Sequence, residues 1–407
     1  MMERIFSKDR VNTGRQREID LLKAYSIIMM IITHCIDDLF IYENHLPSVI
    51  IDDILAQSVG AQGFMICMGC GILFWKSRTP RTMVNRGLMI LLTGQVLNIV
   101  RSVIPYTILY LLTGDRNARG AVLLVFSSDI LQFAGLFMIV MALFTCLKLK
   151  SWHVFLISIG CNIMAMLLAL KISTGSYLLD QFIGLFIFTR AESYFPLLHW
   201  MIYPAFGMVF GDILQHVKDK TRFYAWLLVP CSIVAVFYFY VGLAVDQEFF
   251  TVFNVWQTFC CMSIYDALPQ LFCNVGVICL CYFITFRLSK EAMKPINFIS
   301  VNINRYYCIH YVFIAAINSV FIITGVWKLE KAWICYLTAL FITLGTTLVV
   351  WIYDAKAGQS LRDFFSRRVY IWAVLVVLIS LAAFLWAEAG FDGPYPTLHN
   401  DYEEYEE

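Results

Sequence analysis

The stretch Glu18–Cys35, EIDLLKAYSIIMMIITHC, is a long apolar run with a lysine near one end and a histidine near the other. His34 lies eleven positions after Lys23, which in an α-helix corresponds to about 16 Å of rise and three turns plus about 20°. The two side chains therefore share one face of a helix at different depths. Ionisable residues in such a helix mark functional sites in membrane proteins, although a lysine near a helix end also reaches the headgroups by snorkelling.

The chain as a whole is too apolar for a soluble globular protein. Of its 407 residues, 60% are hydrophobic and 14% are charged. Apolar stretches of about twenty residues recur, the length at which an α-helix crosses a bilayer, and a backbone in lipid must satisfy its hydrogen bonds internally. The sequence therefore predicts an all-α, polytopic integral membrane helical bundle in the plasma membrane or an inner membrane.

Eleven apolar segments predict about eleven transmembrane helices in one membrane domain, residues 20–389. The segments are 20–42, 57–75, 86–105, 122–147, 152–171, 197–214, 223–245, 267–286, 297–323, 332–353 and 369–389. Residues 1–19 are polar and basic, which predicts a cytosolic tail without a cleavable signal peptide. Residues 390–407 predict an acidic extracytoplasmic tail.

The positions of the basic residues support this orientation. With the N-terminus in the cytosol, twenty-two Lys and Arg residues fall on the inner side and seven on the outer side, with Arg305 inside a span. This distribution satisfies the positive-inside rule.

The thirteen cysteines lie mostly in apolar runs and indicate neither a disulfide framework nor a metal site. A net charge of +1 gives no indication of nucleic acid as a partner.

Polar residues inside the third and fourth spans indicate a wet or ligand-filled interior. Arg86 lies near the cytosolic end of the third span and Arg101 lies farther out. Asp129 in the fourth span could pair with Arg101. The second span carries Gly60, Gly63, Gly69 and Gly71, which favour close helix packing and would also leave room for an extended ligand.

The ninth segment, SVNINRYYCIHYVFI, carries a second polar face. Asn302, Tyr306 and His310 recur every four residues and fall within about 80° on a helix. Arg305 lies deep enough to neutralise a phosphate. The equally supported alternative is an arginine that snorkels to the headgroups or pairs with a carboxylate. His310 is either a hydrogen-bonded packing residue or part of a site.

Acid–base groups collect at the outer end of the first span. Asp37, Asp38 and His45 follow His34 in the run CIDDLFIYENH. A histidine with neighbouring carboxylates is suited to proton transfer near neutral pH. For His45, a solvated loop histidine is the alternative.

The long outer connections 172–196 and 246–266 are rich in aromatic residues, which fits either an interfacial belt or a vestibule that packs against a sugar ring or a lipid headgroup.

These residues resemble the transmembrane acyltransferases, which include the acyltransferase-3 family and the relatives of heparan-α-glucosaminide N-acetyltransferase. The acyltransferase-3 signature is an Arg or Lys followed, after ten residues, by a His; Lys23 and His34 match it, with Asp20 at the place of the usual preceding aspartate. MMIITHCIDDLF is similar to the bacterial branch of the acetyltransferase relatives, except that Thr33 replaces an aspartate. Further similar segments are GFMICMGCGILF, DILQFAGLFMIV and FPLLHWMIYPAFGMVFGDIL.

The resemblance implies transfer of an acyl group, most often acetyl, from cytosolic acetyl-CoA to an extracytoplasmic glycan or lipid-linked sugar. Lys23, Arg86 and Arg305 would bind the donor phosphates, with Asn302, Tyr306 and His310 as further donor-binding residues. His34 or His45 would be the general base, assisted by Asp37 and Asp38; the eukaryotic branch has its proposed histidine near the position of His45. A transient acyl-histidine is the alternative mechanism.

Two other classes of function use the same residue types. A proton-coupled secondary transporter would relay protons through the same histidines and carboxylates, but matching halves, which such transporters often have, are not visible in the sequence. A non-catalytic membrane module that senses or scaffolds predicts no binding of acetyl-CoA. Membrane lipids are expected partners, and a homodimer is left open.

Overall fold

A computed structural model describes the protein as a bundle of α-helices. The described residues are 2–41, 55, 57–190, 192–244, 260–325, 328–356 and 369–390. Within them, eleven long helical segments correspond to the eleven predicted spans. We number them α1 (Arg17–Leu39), α2 (Gln57–Phe74), α3 (Pro80–Thr113), α4 (Ile130–Cys146), α5 (Ser151–Leu168), α6 (Leu197–His216), α7 (Lys220–Ala244), α8 (Ile264–Arg287), α9 (Ile303–Thr324), α10 (Ala332–Lys356) and α11 (Val369–Glu388).

The helices have the length and composition of membrane spans. Eight of the described helices are long and apolar enough to cross a bilayer, and α2 and α4 include shorter apolar stretches. The outward faces of the peripheral helices are apolar, for example Trp226 on α7, Phe341 on α10 and Leu378 on α11. Side chains of this kind are stable on the outside of a bundle only when lipid surrounds it. The protein is an integral, multi-pass membrane protein.

Helix α1 lies at the centre of the bundle. It packs against α2, α8, α9, α10 and a short helix, Met293–Val301, that precedes α9. Its inner end is fixed by buried acids: Glu18 forms an ion pair with Lys220 at 2.7 Å, and Asp20 accepts a hydrogen bond from the Ser300 hydroxyl at 2.6 Å. The helix that carries Lys23 and His34 is therefore held on several sides.

Glycines let α2 and α6 approach each other closely. A Cβ atom on Gly69 would lie 1.9 Å from the carbonyl oxygen of Pro204, and one on Gly207 would lie 2.1 Å from that of Ile66. Small residues at such crossings replace the hydrophobic driving force that helices lack in lipid. The sequence suggested two roles for the glycines of the second span, close helix packing and room for an extended ligand. Gly69 serves helix packing.

Three of the predicted span boundaries are wrong. The fourth helix begins at Ile130, because residues 122–126 form a 3₁₀ turn and Asp129 caps the helix. The third continues to Thr113 through a π-helical turn, Ile99–Val103. The ninth is interrupted at Asn302, where one helix ends and another starts.

Candidate active site

A cavity of about 540 Å³ lies beside the C-terminal half of α1. Residues of α1, α2, α3 and α9 form its walls, together with the segment before α4, the residues before α6 and a residue before α8. The cavity is lined by Met30, Thr33, His34, Asp37, Asp38, Ala61, Arg101, Ser102, Pro105, Tyr106, Leu124, Ser127, Asp129, Tyr194, Phe195, Cys260, Tyr311, Ile314, Ala315 and Asn318. Its volume and mixed lining are typical of sites for small molecules.

His34 lies on the cavity wall and contacts α9. The hydroxyl oxygen of Tyr311 is 2.9 Å from Nε2 and 3.1 Å from Nδ1 of the imidazole. The ring of His310 stacks on that of His34, with centroids 5.5 Å apart and planes 14° apart. The imidazole is thus held by one polar and one aromatic contact.

The hydrogen bonds of His310 determine which of its nitrogens carries the proton. Nδ1 is 2.9 Å from the backbone oxygen of Tyr306, and a carbonyl oxygen only accepts, so Nδ1 donates. Nε2 then has a lone pair, and it is buried without a hydrogen-bond partner among the described residues. His310 is fully buried and does not line the cavity, so it supports His34 from behind.

An ion pair between Arg101 and Asp129 also lines the cavity. Arg101 Nη1 donates to Asp129 Oδ2 at 2.6 Å, and Nη2 donates to the Ser127 hydroxyl at 3.2 Å. The guanidinium also lies 5.1 Å from the ring centroid of Tyr311, a distance at which the cation and the ring attract each other. The ion pair expected between Arg101 and Asp129 is confirmed.

Local backbone structure positions both partners. Arg101 belongs to the π-helical turn of α3, a feature common at functional sites. Asp129 is the N-cap of α4: its Oδ1 accepts from the backbone N–H of Ile130 at 2.6 Å and from the Tyr307 hydroxyl at 2.8 Å. A carboxylate at this helix end also interacts favourably with the helix dipole.

The connection between α5 and α6, residues 169–196, supplies an aromatic wall. The backbone of Ser128 pairs with the end of this connection: Ser128 N–H donates to Glu192 O and Tyr194 N–H donates to Ser128 O, both at 3.0 Å. Tyr194 is thereby fixed next to the residue that precedes Asp129. Within the same connection, burial acts to raise the pKa of Asp180, but hydrogen bonds from Thr174, Arg190 and Ser173 together outweigh it and lower the pKa below its usual value.

Three of the predicted catalytic residues, His34, Asp37 and Asp38, line this cavity together. Lys328 Nζ donates to the backbone oxygen of Asp37 at 2.8 Å, which connects the end of α1 to the segment before α10. His45, the fourth predicted residue, lies outside the described residues.

The predicted donor-binding residues do not line the cavity. Lys23 lies three turns inward on α1, close to Cys67 and Cys70 of α2. Among the described residues no carboxylate forms an ion pair with it. Arg86 is exposed, and its guanidinium lies 5.3 Å from the ring centroid of Trp75.

Besides His310, which is described above, the other three residues of that predicted group form contacts near the N-terminal end of α9. Arg305 forms an ion pair with Asp354, and Asn302 donates to the same carboxylate at 3.0 Å. The Tyr306 hydroxyl donates to that of Thr347 at 3.0 Å. The sequence left open whether Arg305 binds a phosphate or serves as a snorkelling or carboxylate-paired arginine. The structure shows the pair with a carboxylate.

Sequence reasoning missed the tyrosines of α9. Tyr307 and Tyr311 are one helical turn apart in the run RYYCIHY, and their hydroxyls contact Asp129 and His34 respectively. The signal was their spacing of four residues within a span already marked by His310. Tyrosine is common at membrane interfaces, so the spacing alone did not distinguish these residues.

Comparison with known proteins identifies the family. Residues 15–242, more than half of the 407-residue chain, match the family model of the catalytic domain of heparan-α-glucosaminide N-acetyltransferase. Neither the curated proteins nor the solved structures that were compared gave a match. The matched region contains His34, Arg101, Asp129 and Tyr194, four residues of the cavity wall. The chain belongs to the heparan-α-glucosaminide N-acetyltransferase catalytic family, a family of membrane acetyltransferases.

Proposed function

We propose that this protein transfers an acetyl group from cytosolic acetyl-CoA to an amino sugar of an extracytoplasmic glycan, with His34 as the general base. The observation that carries the proposal is the place of His34: its imidazole lies on the wall of a cavity large enough for the reacting groups and next to two carboxylates of its own helix. Proton transfer by a histidine in such a site contributes about 10²- to 10⁴-fold to a rate.

The charges of the cavity support an acceptor that is neutral or cationic. Its described lining contains three carboxylates, those of Asp37, Asp38 and Asp129, and one guanidinium, that of Arg101. An anionic acceptor would be repelled by this excess of negative charge. Among aromatic neighbours such as Tyr106, Tyr194 and Phe195, a sugar ring would find apolar surface against which to pack.

The donor is proposed to enter from the inner side of the bundle. Lys23 lies inward of His34 on the same helix by about 16 Å, and it has no ion-pair partner among the described residues. We retain Lys23, with Arg86, as the candidate ligand for the phosphates of acetyl-CoA. Arg305 already pairs with Asp354, so we do not assign it to the donor.

The bound donor supplies an acetyl thioester, and the protein moves one proton. His34 accepts a proton from the attacking amine as the new carbon–nitrogen bond forms. It returns the proton to the sulfur as the carbon–sulfur bond breaks, so the imidazole ends in its neutral state. Asp37 and Asp38 are proposed to stabilise the transient imidazolium.

The test is acetyl transfer from radiolabelled acetyl-CoA by purified protein in lipid. We expect His34→Gln, which keeps a polar side chain of similar size, to reduce kcat by about 10²- to 10⁴-fold. The protein should still gain thermal stability from CoA, because a ligand that binds the folded state stabilises it. Full activity of His34→Gln would exclude His34 as the base, and loss of activity in His45→Ala alone would assign the role to His45.

A further inference from the structure

The contact that orients the His34 imidazole does not come from its own helix, α1. Thr33 occupies the position before it, and the Thr33 hydroxyl is buried without a hydrogen-bond partner among the described residues. Within that part of the chain, the ring nitrogens of His34 have one hydrogen-bond partner, the Tyr311 hydroxyl. Whatever fixes the imidazole therefore acts through α9.

A second tyrosine of α9, Tyr307, supports Tyr311 and is itself bound to a carboxylate. Asp129 only accepts, so the Tyr307 hydroxyl must donate to it across their 2.8 Å contact. The rings of Tyr307 and Tyr311 pack edge to face with centroids 5.2 Å apart. Tyr307 is thereby anchored to Asp129, and its ring supports the ring of Tyr311.

The Tyr311 hydroxyl contacts the imidazole of His34 directly. It lies 2.9 Å from Nε2 and 3.1 Å from Nδ1, so it can donate to a ring nitrogen or accept the N–H of the imidazole. In either case the contact fixes the position of the imidazole. The ring of Tyr311 is fixed as well, because Arg101 lies over it and its side chain is buried.

We infer that Tyr311 is the positioning residue of His34, and that through Tyr307 it couples the imidazole to the carboxylate of Asp129. The inference rests on the proposed function of His34 as general base. The residues in this series of contacts come from three helices: His34 from α1, Tyr307 and Tyr311 from α9, and Asp129 from the start of α4. Together they hold the imidazole in place on the cavity wall.

Tyr311→Phe tests the inference, because it removes the hydroxyl and keeps the ring beside Arg101. We expect kcat to fall by about 10- to 100-fold, as for a misplaced catalytic group, while KM for acetyl-CoA changes less than about twofold. Tyr203→Phe is the matched control. Its hydroxyl is also buried and donates a hydrogen bond, to Gln270 at 2.6 Å, but it does not line the cavity.

A double-mutant cycle with Tyr307→Phe tests the coupling. If the two hydroxyls act in one series of contacts, the double variant should be about as slow as Tyr311→Phe alone, because the effects of substitutions at residues in contact are not additive. The inference is overturned if Tyr311→Phe keeps the wild-type kcat, if it loses no more activity than Tyr203→Phe, or if the two substitutions multiply independently. His34→Gln distinguishes failure of the proposed function from failure of the positioning role. An active His34→Gln variant would overturn the proposed function. An inactive His34→Gln variant together with an active Tyr311→Phe variant would overturn only the positioning role.

Discussion

Arg101 and Asp129 form a largely buried ion pair beside the proposed base, with their side chains 16% and 6% exposed. Arg101→Met leaves the carboxylate without its cation, which typically costs about 3–5 kcal/mol for a buried pair. We expect a clear loss of thermal stability, measured as the fraction of protein that stays monodisperse after heating in detergent.

The double variant Arg101→Met with Asp129→Asn separates stability from activity. Asparagine remains a good N-cap for α4 and carries no charge, so we expect much of the lost stability to return. Acetyl transfer should stay low, because neither the guanidinium beside Tyr311 nor the carboxylate that accepts from Tyr307 is restored. A double variant as unstable as Arg101→Met would contradict the ion-pair argument.

The residues of this site differ in how well the sequence predicts them. Arg101 and Asp129 could be paired in advance, because charges inside apolar spans need a partner and few are available. His34, Asp37 and Asp38 could be grouped, because one short stretch of helix carries them. Tyr307 and Tyr311 lie on a helix that is distant from α1 in the sequence, and the packing of α9 against α1 has no signature in a single sequence.

At the scale of elements, the number of helices was predictable from hydropathy, whereas their irregularities were not. The π-helical turn Ile99–Val103 that positions Arg101 lies inside the third predicted span, which continues across it. The interruption at Asn302 lacks a proline or glycine that would have marked it. A hydropathy pattern marks neither irregularity.

The crossing of α2 and α6 provides a prediction at this scale. Gly207→Ala places a methyl group 2.1 Å from the backbone oxygen of Ile66, so the helices must separate. We expect a loss of about 1–3 kcal/mol, as for overpacked cores, seen as a lower melting temperature in detergent.

Gly71→Ala is the matched control for this substitution. Gly71 is exposed on α2 and has no atom within 4 Å of an added Cβ. Alanine has the higher helix propensity, so the stability should be unchanged or slightly raised. Equal losses in the two variants would mean that the close approach of α2 and α6 does not limit stability.

At the scale of the whole molecule, the charged and polar residues of α1 divide this helix into two regions with different surroundings. The buried acids Glu18 and Asp20 and the basic Lys23 occupy its inner end, whereas His34 and the cavity occupy its outer half. Helix α1 is enclosed by four other long helices, so groups on it can be presented to both sides of a membrane without contact with lipid. This arrangement suits a reaction whose two substrates arrive from opposite sides.

The proposed sidedness of the reaction is based on this arrangement and on the predicted inner location of most Lys and Arg residues. Inverted membrane vesicles expose the cytosolic surface, so acetyl-CoA added outside them should be used, and the labelled acetyl group should appear on acceptors enclosed in the lumen. Intact right-side-out vesicles should use added acetyl-CoA only after permeabilisation. Inverted vesicles that carry His34→Gln control for transfer by other proteins. Equal rates in both intact preparations would show that the donor does not reach the base from the end of α1 that carries Lys23.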